Sequence, residues 1–324
     1  MAQNAADKPK KWWLDILYED ENILLVNKPV GMIVHPNQSV QSDSLLKYVR
    51  EYLYKTGSWN AKDSSAFRPM PCNRLDRFTG GIVIFAKTWE AMREINAQLQ
   101  QHTIEKKYYC IVIGELQPPC GRIKNYILKN KDDTFVTVCE EKNKNAELAI
   151  TDYRTVAGRD GLSLVDCDLI TGRMHQLRAQ FANKGAPILG DMTYGNKKEN
   201  KLRHQEYQLL FAYKVVFHFP DTSCVLGYLD GKSVSVKKVP FLQKYIPDIN
   251  KYLNAKHQEV TKLKRTEFLL CPVCHNKTRI KVLPDTVIER FPLFCPKCKH
   301  ETLISVKKQN IKILIEPDAM TQSR

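Results

Sequence analysis

The apolar residues of this chain fall into short continuous runs and helical stripes, and the two alternate irregularly. Ile23-Leu24-Leu25-Val26 follows the acidic turn Glu19-Asp20-Glu21-Asn22 and reads as a buried strand. Ile82-Val83-Ile84-Phe85-Ala86 reads the same way. Tyr108 to Ile113 is a third strand, whose alternation sends Tyr108 and Cys110 to one face and Tyr109 to the other. Strand-like segments continue to about Cys167 and return over Ala212 to Phe217 and Ser223 to Tyr228. Three stretches carry the helical period instead. Ser42 to Tyr54 has Asp43 or Ser44 as a cap and an apolar stripe of Leu45, Leu46, Val49, Tyr52 and Leu53. Thr88 to Gln101 places Met92, Ile95 and Leu99 on one side, and Thr171 to Lys184 places Met174, Leu177 and Phe181 inward, with Gly185 closing the helix. Strands and helices do not alternate as regular βαβ units. The expected class is therefore α+β, a mixed and mostly antiparallel sheet flanked by helices.

The pattern also divides the chain. Residues 1–12 read as a polar leader, 13–246 as one large domain, 247–266 as a linker rich in Lys, Asn and Gln, 267–315 as a compact module, and 316–324 as a tail. Composition adds a partner class. With 50 basic against 35 acidic residues the formal charge is +15, which favours a polyanion. No apolar run approaches the length of a membrane span and no signal-peptide segment opens the chain, so nucleic acid in the cytoplasm is expected, with no membrane and no protein partner implied. In that reducing setting ten cysteines point to metal ligation and buried thiols rather than disulfides.

Four segments carry candidate chemistry. Asn73-Arg74-Leu75-Asp76-Arg77-Phe78-Thr79-Gly80-Gly81 sets an aspartate between two arginines at the mouth of a strand. Such a carboxylate can face a cleft as nucleophile or base, its neighbours keeping it ionised; the plainer alternative is a surface ion cluster. Lys28-Pro29-Val30-Gly31, running on to His35, forms a tight turn that either is structural or offers Lys28 and His35 to a phosphate. Lys106-Lys107-Tyr108 sets an aromatic ring beside cations, either a core tyrosine or a base-stacking one. Gly172-Arg173-Met174-His175-Gln176-Leu177-Arg178 opens the third helix. A cation at Arg173 opposes the helix dipole and calls for a carboxylate or phosphate partner, while His175 and Arg178 are left for RNA or solvent.

In this order and spacing the four segments, from about Ile16 to Tyr245, resemble the RluA-type pseudouridine synthases. That family's H-R-L-D-x-x-T-S-G block corresponds to Asn73–Gly81 and its G-R-T-H-Q-I-R block to Gly172–Arg178, with Asn73 in place of histidine and Gly80 in place of serine. The resemblance implies a uridine-to-pseudouridine isomerase of rRNA or tRNA that needs no cofactor for catalysis. It implies Asp76 as the catalytic carboxylate, Arg173 as its partner, Tyr108 stacked on the uracil and Leu177 packed against the pocket. Arg74 and Arg77 become RNA contacts at a flipped nucleotide. The two departures are expected to alter RNA-backbone contacts or the acidity of Asp76. Many relatives of the family that act on large-subunit rRNA carry an additional N-terminal RNA-binding domain; only the short leader precedes this one, which shifts the expectation toward tRNA, or toward the C-terminal cysteine module as the substitute RNA reader. An inert RNA-binding protein retaining the fold, and a nucleic-acid-binding module with the large domain as an assembly partner, are the competing readings.

Near the end of the chain, Cys271-Pro272-Val273-Cys274 and Cys295-Pro296-Lys297-Cys298 make two CxxC knuckles. Four thiolates on two such turns suit a closed, structural zinc site better than a redox pair. The segment from about Glu267 to Ile313, with Lys277-Thr278-Arg279 after the first knuckle, resembles the cysteine-rich Lys-Thr-Arg zinc ribbons. Its basic residues either dock RNA or form a solvated face. His275 and His300 are expected outside the ligand set.

Overall fold

In this computed structural model, residues 14–36, 43–130, 134–142, 144–249, 267–282, 287–307 and 310–314 are described. The leader, most of the linker, the tail and Ser42 lie outside them. The chain forms two compact units, Met1–Pro247 and Asp248–Arg324.

The first unit is built on one eleven-stranded sheet. Its strands are β1 (Asp15–Glu19), β2 (Ile23–Lys28), β3 (Met70–Pro71), β4 (Gly80–Ala86), β5 (Glu105–Ile113), β6 (Cys120–Lys129), β7 (Val136–Cys139), β8 (Glu147–Arg159), β9 (Leu162–Leu169), β10 (Leu210–Val216) and β11 (Ser233–Ser235). The order is β1-β2-β4-β10-β5-β9-β8-β6-β7, with β3 on β4 and β11 on β10. Every pairing is antiparallel except β10 with β4, where Phe211 and Ala212 run beside Gly80 and Gly81. The expected mixed, mostly antiparallel α+β sheet is what forms.

The continuous apolar runs have a simple cause: the central strands are covered on both faces. Leu24, Val26, Val83, Phe85, Tyr108 and Cys110 face one core. Ile23, Leu25, Ile82, Ile84 and Ala86 face the other. Helix α1 (Leu45–Lys55) covers the first face with Leu45, Leu46, Val49 and Leu53, each worth about 1.5–3 kcal/mol on burial. Ser44 caps it, its side chain accepting from the Lys47 N–H. Helix α2 (Trp89–Gln100), capped by Thr88, covers the second face with Ala91 and Ile95. Tyr109 points away from Tyr108 and stacks on Tyr213 at 3.9 Å between centroids.

Two expected elements differ. The third helix, α3, spans only Gln176–Asn183, because His175 is left-handed (φ 52°) and Gln176 Oε1 accepts from Thr171 Oγ1 and the Arg173 N–H, holding residues 171–175 as a turn. At its other end Gly185 has φ +77° and donates to the Ala182 carbonyl. Ser223–Tyr228 is not a strand. The Val225 and Leu226 N–H groups donate to the Glu94 carboxylate, so side chains take the bonds a ladder would need, and a short 3-10 turn follows at Gly227–Leu229. Two shorter helices, α4 (Lys197–Leu202) and α5 (Leu242–Tyr245), complete this unit.

The second unit holds a hairpin, β12 (Glu267–Leu270) with β13 (Lys277–Val282), and a three-stranded sheet, β14 (Ile288–Phe294), β15 (Glu301–Lys307) and β16 (Asn310–Ile313). Its apolar core is small: Leu269, Val282, Leu293, Ile304 and Val306. Among the described residues no helix is long and apolar enough to cross a membrane.

Candidate active site and metal centre

A cleft of about 820 Å³, within the usual range of ligand pockets, opens where the β3–β4 turn meets the start of α3. Asp76, Tyr108, Leu177, Arg178, Arg173, Arg74 and His35 line it. Lys28 and Arg77 do not.

Asp76 sits half-buried in the turn before β4. Its Oδ2 accepts from Arg178 Nη1 at 2.9 Å. Arg178, only 8% exposed at its side chain, is in turn gripped by Asp191: Nε donates to Oδ2 at 2.7 Å and Nη2 to Oδ1 at 3.0 Å. Asp191 is fully buried and also accepts from the Thr193 and Tyr194 N–H groups. The result is a fixed Asp76–Arg178–Asp191 line, with the bidentate pair at its closed end. Burial works against the Arg178 charge, but its bonds to Asp191 and Asp76 lift it above its ordinary value. Burial likewise opposes ionised Asp191, and Arg178 with the two backbone donors holds it below the usual carboxylate range.

This corrects the expected pairing. Arg173 does not meet Asp76; its Nε donates to the Leu148 carbonyl at 3.1 Å and its guanidinium lies 3.4 Å from Glu147. The reason is the late start of α3. Residue 173 lies in the preceding turn, and it is Arg178, in the helix's first turn, that faces a carboxylate. Arg178 is therefore not left to RNA or solvent, and neither is His175, whose Nε2 is 3.7 Å from Asp76 and whose Nδ1 is 3.0 Å from the Tyr194 hydroxyl. Burial depresses the His175 imidazole more than Asp76 raises it. A cation at this helix start does meet an anion, but Arg178 rather than Arg173 is the one that pairs with Asp76. Asp191 carried no sequence signal beyond its place after Gly190.

Tyr108 is buried at the cleft wall, and burial together with the charge of Asp76 pushes its phenol well above the ordinary value. Leu177 is buried beside it. Arg74 is exposed, and exposed His35 has Nδ1 2.9 Å from the Pro36 carbonyl. Lys28 is not positioned for a phosphate. It is fully buried, and its Nζ donates to the carbonyls of Met32 (2.7 Å), Pro29 and Arg77 (3.1 Å each), tying its own turn to that of Asp76. Burial, against the attraction of Asp76, pulls its pKa down to about 7. Arg77 is exposed and its Nε donates to Gly31 O, so these two turns are bonded reciprocally.

The two departures from the family's pattern have local packing explanations. The Asn73 amide pairs with the β4 backbone, accepting from the Ile84 N–H at 2.8 Å and donating to the Ile82 carbonyl. At Gly80 a Cβ would stand 2.6 Å from the Phe211 ring, so the large aromatic on β10 occupies the space a side chain would take. Cys72, close in sequence to Asp76, is raised by burial to about 12 and stays a thiol at neutral pH.

In the second unit the four knuckle cysteines converge. All four Sγ atoms lie within 4.8 Å of one another, with Cys271–Cys298 and Cys274–Cys295 each at 3.6 Å. Four thiolates at 2.3 Å around a tetrahedral ion would stand about 3.8 Å apart, whereas a disulfide needs about 2 Å, so the arrangement fits a metal and not a bridge. The Asn276 amide donates to Cys274 Sγ at 3.4 Å, a bond that favours the thiolate a metal requires. His275 and His300 are exposed and outside the group.

Residues 22–183 match the RNA pseudouridylate synthase family, and residues 266–319 match the cysteine-rich KTR family. The chain is 31% identical over 243 residues to ribosomal large subunit pseudouridine synthase D of Zymomonas mobilis, covering 73% of this chain and 71% of that one. It is 31% identical over 224 residues to tRNA pseudouridine synthase C of Vibrio cholerae, covering 64% and 87%. The solved human RNA pseudouridylate synthase domain containing 4 shares the fold, with a TM-score of 0.56 at 21% identity over 72% of this chain and 92% of that one. The chain thus belongs to the RluA-type RNA pseudouridine synthases, enzymes that isomerise uridine in RNA, and carries a C-terminal cysteine-rich domain of the zinc-ribbon kind.

Proposed function

We propose that Asp76 is the carboxylate that acts on the target uridine. The observation that carries this reading is its hydrogen bond to Arg178, itself locked by buried Asp191, at the wall of an open cleft. A carboxylate so held is oriented without needing substrate to orient it. The N1–C1′ bond of uridine breaks, the uracil turns within the cleft, C5 bonds to C1′, and the C5 proton leaves as N1 regains one. Tyr108 covers the uracil ring, and its protonated phenol is available as a donor beside Asp76. Leu177 forms the apolar wall. Arg178 positions Asp76, a role carried over from Arg173. Arg173, Arg74 and Arg77 would meet RNA phosphates, whose neutralisation would show as a salt-dependent affinity. The target uridine must leave its helix or come from a loop to enter.

The substrate is rRNA or tRNA in a reducing, cytoplasmic setting. Four thiolates hold a structural zinc that folds the small unit, whose own apolar core is too slight for a module of that size. With all four positions taken by protein the metal has no open site for chemistry. Basic Lys277, Arg279, Lys297 and Lys299, all exposed on this unit, supply a second RNA surface. Mapping pseudouridines in RNA from a deletion strain carrying either the wild-type gene or D76N tests the reading. Sites restored by wild type alone support it, and sites restored equally by D76N refute it.

A further inference from the structure

Outside the cleft lining, on the turn that carries Asp76 and on the segment that Gln208 links to it, the surface carries two large aromatic rings that the reaction does not use. Phe78 is 41% exposed and Tyr207 is 42% exposed. Their rings are near-parallel, 16° apart, with centroids separated by 6.4 Å. The Arg77 guanidinium lies 5.3 Å from the Phe78 ring centroid. Single exposed apolar residues call for no explanation. A paired aromatic face flanked by an arginine, two residues from the reactive carboxylate of a chain carrying +15, does.

We propose that Phe78, Tyr207 and Arg77 form a stacking subsite for the base of an unpaired nucleotide next to the target uridine. The inference rests on the reading of Asp76 as the catalytic group. Two residues span at most about 7 Å, so Phe78 lies within a nucleotide's reach of Asp76. A uridine turned out of its stack leaves its neighbour with an uncovered face, and an aromatic platform beside the pocket covers it again. Arg77 adds charge where the backbone of that nucleotide must pass. Its Nε is engaged by the Gly31 carbonyl at 3.1 Å, which fixes the guanidinium plane and leaves the Nη donors for a phosphate oxygen.

The platform is held from below. Gly190 has φ +84°, and a Cβ there would collide with the Tyr207 carbonyl, so glycine admits the close approach that seats Tyr207. That carbonyl accepts from Gln205 Nε2 at 2.9 Å. Gln208 Nε2 lies 3.4 Å from Thr79 Oγ1, linking the segment of Tyr207 to that of Phe78. Arg77 and Phe78 also occupy the two unspecified positions of the motif that contains Asp76. A subsite at such positions is suited to setting which sequence flanks the uridine.

The test uses the full-length protein with metal bound. Turnover is read as tritium release from cellular RNA carrying 5-tritiated uridine. Binding is read with a single-stranded oligouridine containing one 2-aminopurine, whose fluorescence falls on stacking. The F78A/Y207A double variant should raise KM by roughly five- to a hundredfold with kcat preserved, and should lose the fluorescence quench. The conservative double variant F78W/Y207F should keep both. R77Q should weaken binding and lower the slope of affinity against salt by roughly 0.7. Both rings are exposed, so circular dichroism should show the variants folded. Unchanged KM and quench in F78A/Y207A, or a loss confined to kcat, would overturn the subsite while leaving Asp76 untouched. Full turnover by D76N would instead remove the reading on which the subsite depends.

Discussion

Asp191 never touches the cleft, yet the account makes Asp76 depend on it. The D191N substitution keeps the shape of the side chain and replaces one oxygen with an amide nitrogen. If the remaining oxygen keeps its bonds from the Thr193 and Tyr194 N–H groups, the new N–H group faces the donor at Arg178 Nε. If the amide turns round, those two backbone donors lose their acceptor. Either way a guanidinium 8% exposed loses its bidentate carboxylate and is left with Asp76 as its one charged partner, beside the Thr193 hydroxyl. Breaking one side of a buried ion pair costs about 3–5 kcal/mol. At about 2–4 °C per kcal/mol for a domain of this size, the melting temperature should fall by roughly 6–20 °C. Arg178 would no longer be held, so kcat should fall more than KM rises. The pH dependence has a definite sign. Asp191 is held below the usual carboxylate range, so its stabilisation is complete above about pH 4 and lost as pH falls through its lower native value. D191N should lack that part of the acid limb. Thermal unfolding across pH, with steady-state turnover at neutral pH, reads both effects. An unchanged melting temperature together with unchanged kcat would show that Arg178 does not rely on Asp191.

Further outcomes follow from other groups. Lys28 titrates at about 7 in the fold, against about 10.4 in an unfolded chain, so wild-type stability should rise between those values by up to about 1.4 kcal/mol per pH unit. K28M should flatten that rise in urea titrations. Because burial and Asp76 keep the Tyr108 phenol protonated, the pH–rate profile should show no limb from it up to about pH 10, and Y108F should retain more kcat/KM than Y108A. Elemental analysis should find one zinc per chain. A chelator, or C274S, should unfold the small unit as seen by proteolysis while the large unit keeps its melting transition.

The fold was legible because burial on both faces wrote itself into the strands: Ile23–Val26 and Ile82–Ala86 are unbroken apolar runs for that reason. The helices over Leu45 and Ile95 were equally plain, since Ser44 and Thr88 cap them through their own side chains. What failed was local hydrogen bonding by distant side chains. Nothing near Ser223 announces that Glu94 will take the Val225 and Leu226 N–H groups. At the site, residue types were readable and pairings were not. His175 in the left-handed region shifts the start of α3 by several residues, and that shift exchanges Arg173 for Arg178 as the partner of Asp76. The sequence left Lys28 either structural or a phosphate ligand, and it is structural through carbonyls that lie partly 49 residues away. The cysteine knuckles were the easiest feature to read, because ligand spacing in sequence is itself the geometry of the turn.

The central claim is that the Asp76 carboxylate performs the isomerisation. Its most direct test is single-turnover tritium release from RNA carrying 5-tritiated uridine, comparing wild type with D76N at matched RNA occupancy. The account predicts that D76N binds the RNA and releases no tritium above background. Release at the wild-type rate by D76N would contradict it.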